Sequence, residues 1–177
     1  MFDPTAFDNM KVIVEGSLYD MDIAGKIIIS GRRDIVDLAT LSREFSIIFM
    51  QDGIPDIEAE VSLHAGLINL AAELLPGEST KGKSGSELVL QFRTKHPDDT
   101  DVYEDIQSLM ESLWGVERTI VQKASFDPFS SEDYIHNCIS VEFNRLITEG
   151  QMEDLPEIIA YTSETLGRLQ TYLESIE

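Results

Sequence analysis

The stretch from Leu88 to Ala124 constrains the fold most, because it changes period twice within 37 residues. Leu88, Leu90 and Phe92 alternate as in a strand that ends before His96-Pro97. Asp98, Asp99 and Asp101 then place carboxylates where a helix begins and its dipole favours negative charge. Val102, Ile106, Leu109, Met110, Leu113 and Trp114 recur at helical spacing, and Gly115 is placed to end that helix. Arg118 to Ala124 returns to extended chain. A strand, helix and strand in that order predict two parallel strands with the helix over one face of a sheet.

Upstream, Met10 to Leu18 and Lys26 to Ser30 are rich in β-branched residues and predict an antiparallel pair across Asp20, Asp22 and Gly25. Arg43 to Met50 puts Phe45, Ile47 and Phe49 on one face. An Asp52-Gly53 turn follows, then alternation through Ile57, Ala59, Val61 and Leu63, which predicts a second hairpin. A helix over Pro55 to Leu75 fits part of the same segment, and a strand followed by a short helix fits it better. Asp34 to Leu41 is compatible with either state.

Downstream, the pattern predicts two helices. Ser130 or Ser131 caps the first, with Ile135, Cys138 or Ile139, Phe143 and Leu146 inward and an end near Gly150. Asp154 caps the second, with Pro156 in its first turn and Glu157 three residues on. Met152, Leu155, Ile159, Thr162, Leu166, Leu169, Leu173 and Ile176 then follow at spacings of three and four. Such a seam packs on another helix, either the preceding one or a copy from a second subunit. Ile159, Leu166, Leu169, Leu173 and Ile176 are therefore the candidate interface of a homodimer. The predicted fold is a single α+β domain over residues 1–177. Residues 1–128 hold an antiparallel sheet from the N-terminal half and one strand-helix-strand unit, and 129–177 form a C-terminal helical pair.

Thirty-three acidic residues against thirteen basic ones give a formal charge of −20. Residues 1–96 account for −6 of it and 97–177 for −14. Such a surface repels phosphate backbones and anionic headgroups, so direct nucleic-acid or membrane binding is not expected. An apolar content of 42% argues for a folded chain despite the charge. The single cysteine, Cys138, forms no internal disulfide and fits a reducing, cytoplasmic compartment. The opening Met1-Phe2-Asp3-Pro4 does not resemble a secretory signal, and no apolar run approaches the ~18 residues that span a bilayer.

One motif invites a catalytic reading. Gly77-Glu78-Ser79-Thr80-Lys81-Gly82-Lys83-Ser84 matches the phosphate-binding loop pattern letter for letter, in which backbone amides cradle phosphates, the lysine reaches the terminal ones and the serine holds Mg²⁺. That chemistry needs a strand entering the loop and a helix leaving it. Here Leu70 to Leu75 reads as helix and Gly85 to Phe92 as strand, the reverse order. The simpler expectation is a Gly/Ser/Lys-rich connection, with Gly82, Lys83 and Ser84 kept as the alternative nucleotide or phosphate site and Asp52 as a Mg²⁺ assistant.

His64, His96 and His136 are far apart in sequence, and His136 and Cys138, two apart on a predicted helix, would face different ways, so no metal is expected. Asp20 with Asp22 and Asp99 with Asp101 read as turn and cap residues, Arg32-Arg33 as turn charges and Trp114 as core. No Gly-x-Ser-x-Gly elbow occurs. Without a credible catalytic set or cofactor, the expectation is a non-catalytic acidic binding or regulatory protein with an unidentified protein partner. An acidic mimic of nucleic acid is a further alternative, motivated by the charge of residues 97–177.

Overall fold

The computed structural model describes residues 5–54, 56–75 and 77–177; the opening Met1 to Pro4, Pro55 and Pro76 lie outside them. The fold is α+β, as expected. In chain order the elements are α1 (Ala6–Ile23), β1 (Ile27–Asp37), β2 (Ser42–Gln51), β3 (Glu58–Ala65), α2 (Leu67–Leu74), β4 (Ser86–Pro97), α3 (Thr100–Trp114), β5 (Thr119–Ser125), β6 (Tyr134–Ile147) and α4 (Leu155–Ile176). Six strands form one sheet in the order β1-β2-β3-β4-β6-β5, with antiparallel neighbours throughout.

The strands from Lys26 onward follow the alternation of the sequence. Phe45, Ile47 and Phe49 of β2, Ala59, Val61 and Leu63 of β3, and Leu88, Leu90 and Phe92 of β4 are buried on one face. Asp34 to Leu41 resolves into the second half of β1 and a hairpin turn in which Leu41 has φ 53°. β4 runs to Pro97, further than the sequence predicted, and carries the buried Thr94 and His96 at its end.

Two expectations are corrected. Met10 to Leu18 lies inside α1, not in a strand. Phe7, Met10, Val14 and Leu18 form one buried helical stripe, and Thr5 and Asp8 close a capping box at the start. Asp8, Lys11 and Glu15, one turn apart, pair with Arg43, Asp34 and Arg32 of the strands below and fix the helix lengthwise on β1 and β2.

The second correction is the C-terminal helical pair: the first of the two helices is β6, so the helices beside α4 are α1 and α3. Ile135, Asn137, Ile139, Val141 and Phe143 are the buried, period-two set. Asn137 interrupts the apolar alternation, yet it sits in the core because its amide has partners there. Its Nδ2 donates to Gln122 Oε1 at 2.8 Å and lies 3.0 Å from His96 Nε2. The strand-helix-strand unit is present as expected: β4 and β5 are parallel to each other, with β6 between them and antiparallel to both.

α1, α3 and α4 cover one face of the sheet. α1 reaches Arg32 and Arg43, Gln51 donates to Ser163 O of α4 at 3.1 Å, and Gln122 of β5 donates to Tyr103 O of α3 at 2.9 Å. The opposite face carries no helix among the described residues. No described helix is long and apolar enough to cross a membrane.

Candidate functional site

The Gly77–Ser84 loop enters from α2 and leaves into β4, with a short 3-10 turn at Glu78–Thr80 between them. Its backbone groups bond within the protein. The Gly77 amide donates to Thr80 Oγ1 at 2.9 Å, the Lys83 amide donates to Thr80 O at 3.0 Å, and Lys83 O accepts from Asn69 Nδ2 at 2.9 Å. Lys83 therefore sits on irregular chain three residues before β4, with no helix N-terminus beside it among the described residues. Two glycines here have positive φ, Gly82 (+74°) inside the motif and Gly85 one residue past it, and only the second also abuts backbone. Gly85 has φ +138°, and a Cβ there would meet Ile147 O at 2.5 Å. It allows β4 to start against the end of β6.

The candidate interface of α4 is turned inward. Ile159, Leu166, Leu169 and Leu173 are buried in the chain's own core, whereas Ile176 is exposed near the C-terminus. The seam packs on the sheet between α1 and α3, not on a hairpin partner immediately before it or on a second copy's helix. Thr162, its one polar position, is fully buried and donates its hydroxyl to Ile158 O at 2.8 Å.

His136 and Cys138 occupy β6, so two residues apart they share the open face, contrary to the helical expectation. Register places Arg93 opposite Cys138 on one side and Lys123 on the other, with Lys95 opposite His136. Arg93, Lys95, His136 and Cys138 line a shallow cleft of about 530 Å³ together with Asp56 and Glu58. No hydrogen bond joins His136 to Cys138, and no three potential ligands gather to hold a metal ion among the described residues. His96 is buried, its Nδ1 2.8 Å from Pro97 O and its ring edge-on to Tyr103. His64 lies 3.7 Å from Glu87.

The remaining sequence candidates have local roles. Asp99 caps α3 by accepting from the Asp101 amide at 2.9 Å. The backbone carbonyls of Asp20 and Asp22 end α1. Trp114 packs edge-on to Phe143 and Tyr161. Arg32 pairs with Glu15 and lies over the Phe45 ring, while its neighbour Arg33 makes no ion pair among the described residues.

Sequence reasoning missed the outward face of α2. Its polar residues point inward: Asn69 Oδ1 accepts from the Gly66 amide at 2.9 Å, and Glu73 accepts from the Ala6 amide at 3.0 Å. Burial raises the Glu73 carboxyl above its ordinary value, and the nearby carboxylates of Glu149 and Asp8 add to this, against the opposing bond from Ala6. Ala72 is buried beside Asn69 and Glu73 and Leu70 is half-buried, but the other large apolar residues point outward. Leu67 is 48% exposed, Ile68 64%, Leu74 63% and Leu75 75%, and their spacing of one, seven and eight places them on a single helical stripe. The run Leu-Ile-Asn-Leu-Ala-Ala-Glu-Leu-Leu held the signal, in that two polar residues four apart define the one face that meets the rest of the chain.

The chain matches no protein-family model, and no curated protein or solved structure is significantly similar to it.

Proposed function

We propose that the chain is a non-catalytic binding protein whose partner-facing element is α2. The observation that carries this reading is the outward stripe of Leu67, Ile68, Leu74 and Leu75 on α2, opposite a face that meets the domain through Asn69, Ala72 and Glu73. Contiguous apolar surface of a few hundred Å² on a water-soluble domain commonly marks an interaction site. Residues 66–86 also carry Glu73 and Glu78 against Lys81 and Lys83, a local balance of zero in a chain of −20. Contact there does not bring like charges together.

Full burial of a Leu or Ile contributes roughly 1.5–3 kcal/mol, so four such side chains at half to three-quarters exposure supply about 4–7 kcal/mol. Association costs about 4–15 kcal/mol in lost freedom, so α2 alone supports only transient binding. A partner groove with an apolar floor supplies the hot spot, and basic residues around it add attraction to the acidic remainder. A cytoplasmic setting follows from the lone thiol in the same reading.

The test places a benzophenone amino acid at Leu75 and, as a control, at Val12, which is equally solvent-facing on α1. Irradiation in the native cell is expected to yield one adduct of defined mass from position 75 only, abolished by Ile68→Glu. Equal labelling from both positions, or an adduct indifferent to Ile68→Glu, overturns the reading.

A further inference from the structure

We propose that β1 is a self-pairing edge: two copies of the chain join β1 to β1 antiparallel about a two-fold axis at Ile35, forming one continuous twelve-stranded sheet. This goes beyond the α2 reading and uses a different surface.

β1 is the outer strand of the sheet, paired with β2 on one side only. Its single irregularity lies between Ile29 and Gly31, and from Gly31 to Asp37 seven consecutive residues pair with β2 in unbroken register. That straight half presents an open row of backbone donors and acceptors. Folded domains usually blunt such an edge with proline, a bulge, a covering element or charge. Residues 31–37 contain no proline, the bulge lies upstream, and Arg32 through Asp37 are all exposed. The two charges on the helix-covered face are already committed to α1, Arg32 to Glu15 at 2.7 Å and Asp34 to Lys11. The opposite edge differs: β5 is seven residues long, carries Lys123 on its open face and is hydrogen-bonded to α3 through Gln122.

The occupant follows from the charges. A two-fold axis perpendicular to the sheet keeps the covered face of one copy continuous with that of the other, so residues opposite each other must share a face. Centring the pair on Arg33 sets Arg33 against its copy, and centring it on Asp34 sets two aspartates together. Centring it on Ile35 sets Ile35 against Ile35, Asp34 against Val36 and Arg33 against Asp37, twice by symmetry. That register pairs the arginine that is unpaired in the single chain with a carboxylate. Hydrogen bonding from the Ala39 amide at 2.8 Å holds the Asp37 side chain in place by one oxygen, Oδ1. It also places exposed Ile35, Val36 and Leu38 along the joint. From Lys26 to Asp37 the bases Lys26, Arg32 and Arg33 outnumber Asp34 and Asp37, so the edge escapes the general acidity.

Sedimentation of the full chain across micromolar concentrations is expected to show a species of twice the 19.9 kDa chain mass. Arg33→Asp sets like charges opposite each other at two symmetric places and is expected to weaken the dimer about tenfold. The double variant Arg33→Asp, Asp37→Arg is expected to restore it, with circular dichroism confirming the fold in each. In a Cys138→Ser background, Ile35→Cys is expected to form an intermolecular disulfide, since directly opposed residues lie about 4.5–5.5 Å apart. Ile28→Cys, on the same strand and face, is not. A chain that stays monomeric, a dimer indifferent to Arg33→Asp, or a disulfide through position 28 overturns the proposal. Ile68→Glu is expected to leave the dimer mass unchanged, so the α2 reading and this one fail separately.

Discussion

Replacing Gly85 by alanine separates the structural account of the glycine-lysine loop from the nucleotide-binding one. The residue has φ +138°, a region that side-chain-bearing residues avoid, at a cost of order 1–3 kcal/mol. The added methyl would also sit 2.5 Å from Ile147 O, a backbone atom that cannot swing away as a flexible side chain would. Relief requires parting β4 from β6 where Ser86 pairs with Ile147, both of them buried. The two effects together predict a loss of about 3 kcal/mol or more. For a domain of this length each kcal/mol moves the midpoint by about 2–4 °C, so Tm is expected to fall by about 6–12 °C. Gly77→Ala is the matched control: its backbone is extended, φ −170°, and nothing lies within 4 Å of the new methyl. It should melt within about 1 °C of the parent. A phosphate-cradling loop reverses the order, since Gly77 and Gly82 belong to its motif and Gly85 does not. Urea and thermal melts followed by circular dichroism decide the matter. Parent-like stability of Gly85→Ala would refute the β4–β6 contact on which this placement of Lys83 depends.

Three further perturbations probe the core and its titrating groups. Leu166→Asp buries a charge at a position that is 1% exposed, and it should abolish cooperative unfolding rather than release a stable monomer; a folded variant would return α4 to the surface. Asn137→Ala removes a donor shared by His96 and Gln122 inside the core, with an expected loss of about 2–3 kcal/mol in urea denaturation; a neutral outcome would mean that the polar cluster is hydrated. Glu73→Gln should stabilise the protein at neutral pH. The folded carboxyl titrates above its ordinary value, so the stability it contributes is complete in acid and is lost as pH rises through the folded pKa. The gain should therefore shrink toward pH 4, and a gain independent of pH would contradict the assignment.

The legible parts of the fold were those in which one period ran unbroken. β2, β3, β4 and α3 could be read because each buries an uninterrupted apolar set: Phe45 to Phe49, Ala59 to Leu63, Leu88 to Phe92, and Val102 to Met110. α1 was hidden by local composition, since Val12, Ile13 and Val14 favour strand in isolation. The wider stripe of Phe7, Met10, Val14 and Leu18, with a cap at Thr5, decides for helix. β6 was hidden by one buried polar residue. Asn137 breaks the alternation, and what admits it to the core is a pair of partners, His96 and Gln122, 41 and 15 residues away in sequence. The seam of α4 was read correctly as apolar, but a seam does not state what it meets: here it meets the sheet, α1 and α3. The outward face of α2 escaped because inversion appears only once Asn69 and Glu73 are seen bonded inward.

Placement of charge bears on what can approach this protein. The open sheet face carries Arg33, Arg93, Lys95 and Lys123 against Asp37, Glu44, Glu58, Glu60, Glu87 and Glu142, a small share of the excess. The rest lies elsewhere, including Asp101, Glu104, Asp105 and Glu111 on α3, Glu157, Glu164 and Glu174 on α4, and Asp127, Glu132 and Asp133 in the loop between β5 and β6. Two copies at −20 repel at long range, and that repulsion is screened within about 10 Å at 0.1 M salt. Self-pairing through β1 should therefore tighten between low and physiological salt, because the edge is bonded by backbone and apolar contact rather than by net charge. A protein that imitates nucleic acid behaves oppositely, losing its basic partner as salt rises. Affinity measured at three ionic strengths thus separates the two by sign alone. A dimer that weakens steadily with salt and is indifferent to Arg33→Asp would place the joint at another, charged surface and exclude the β1 edge.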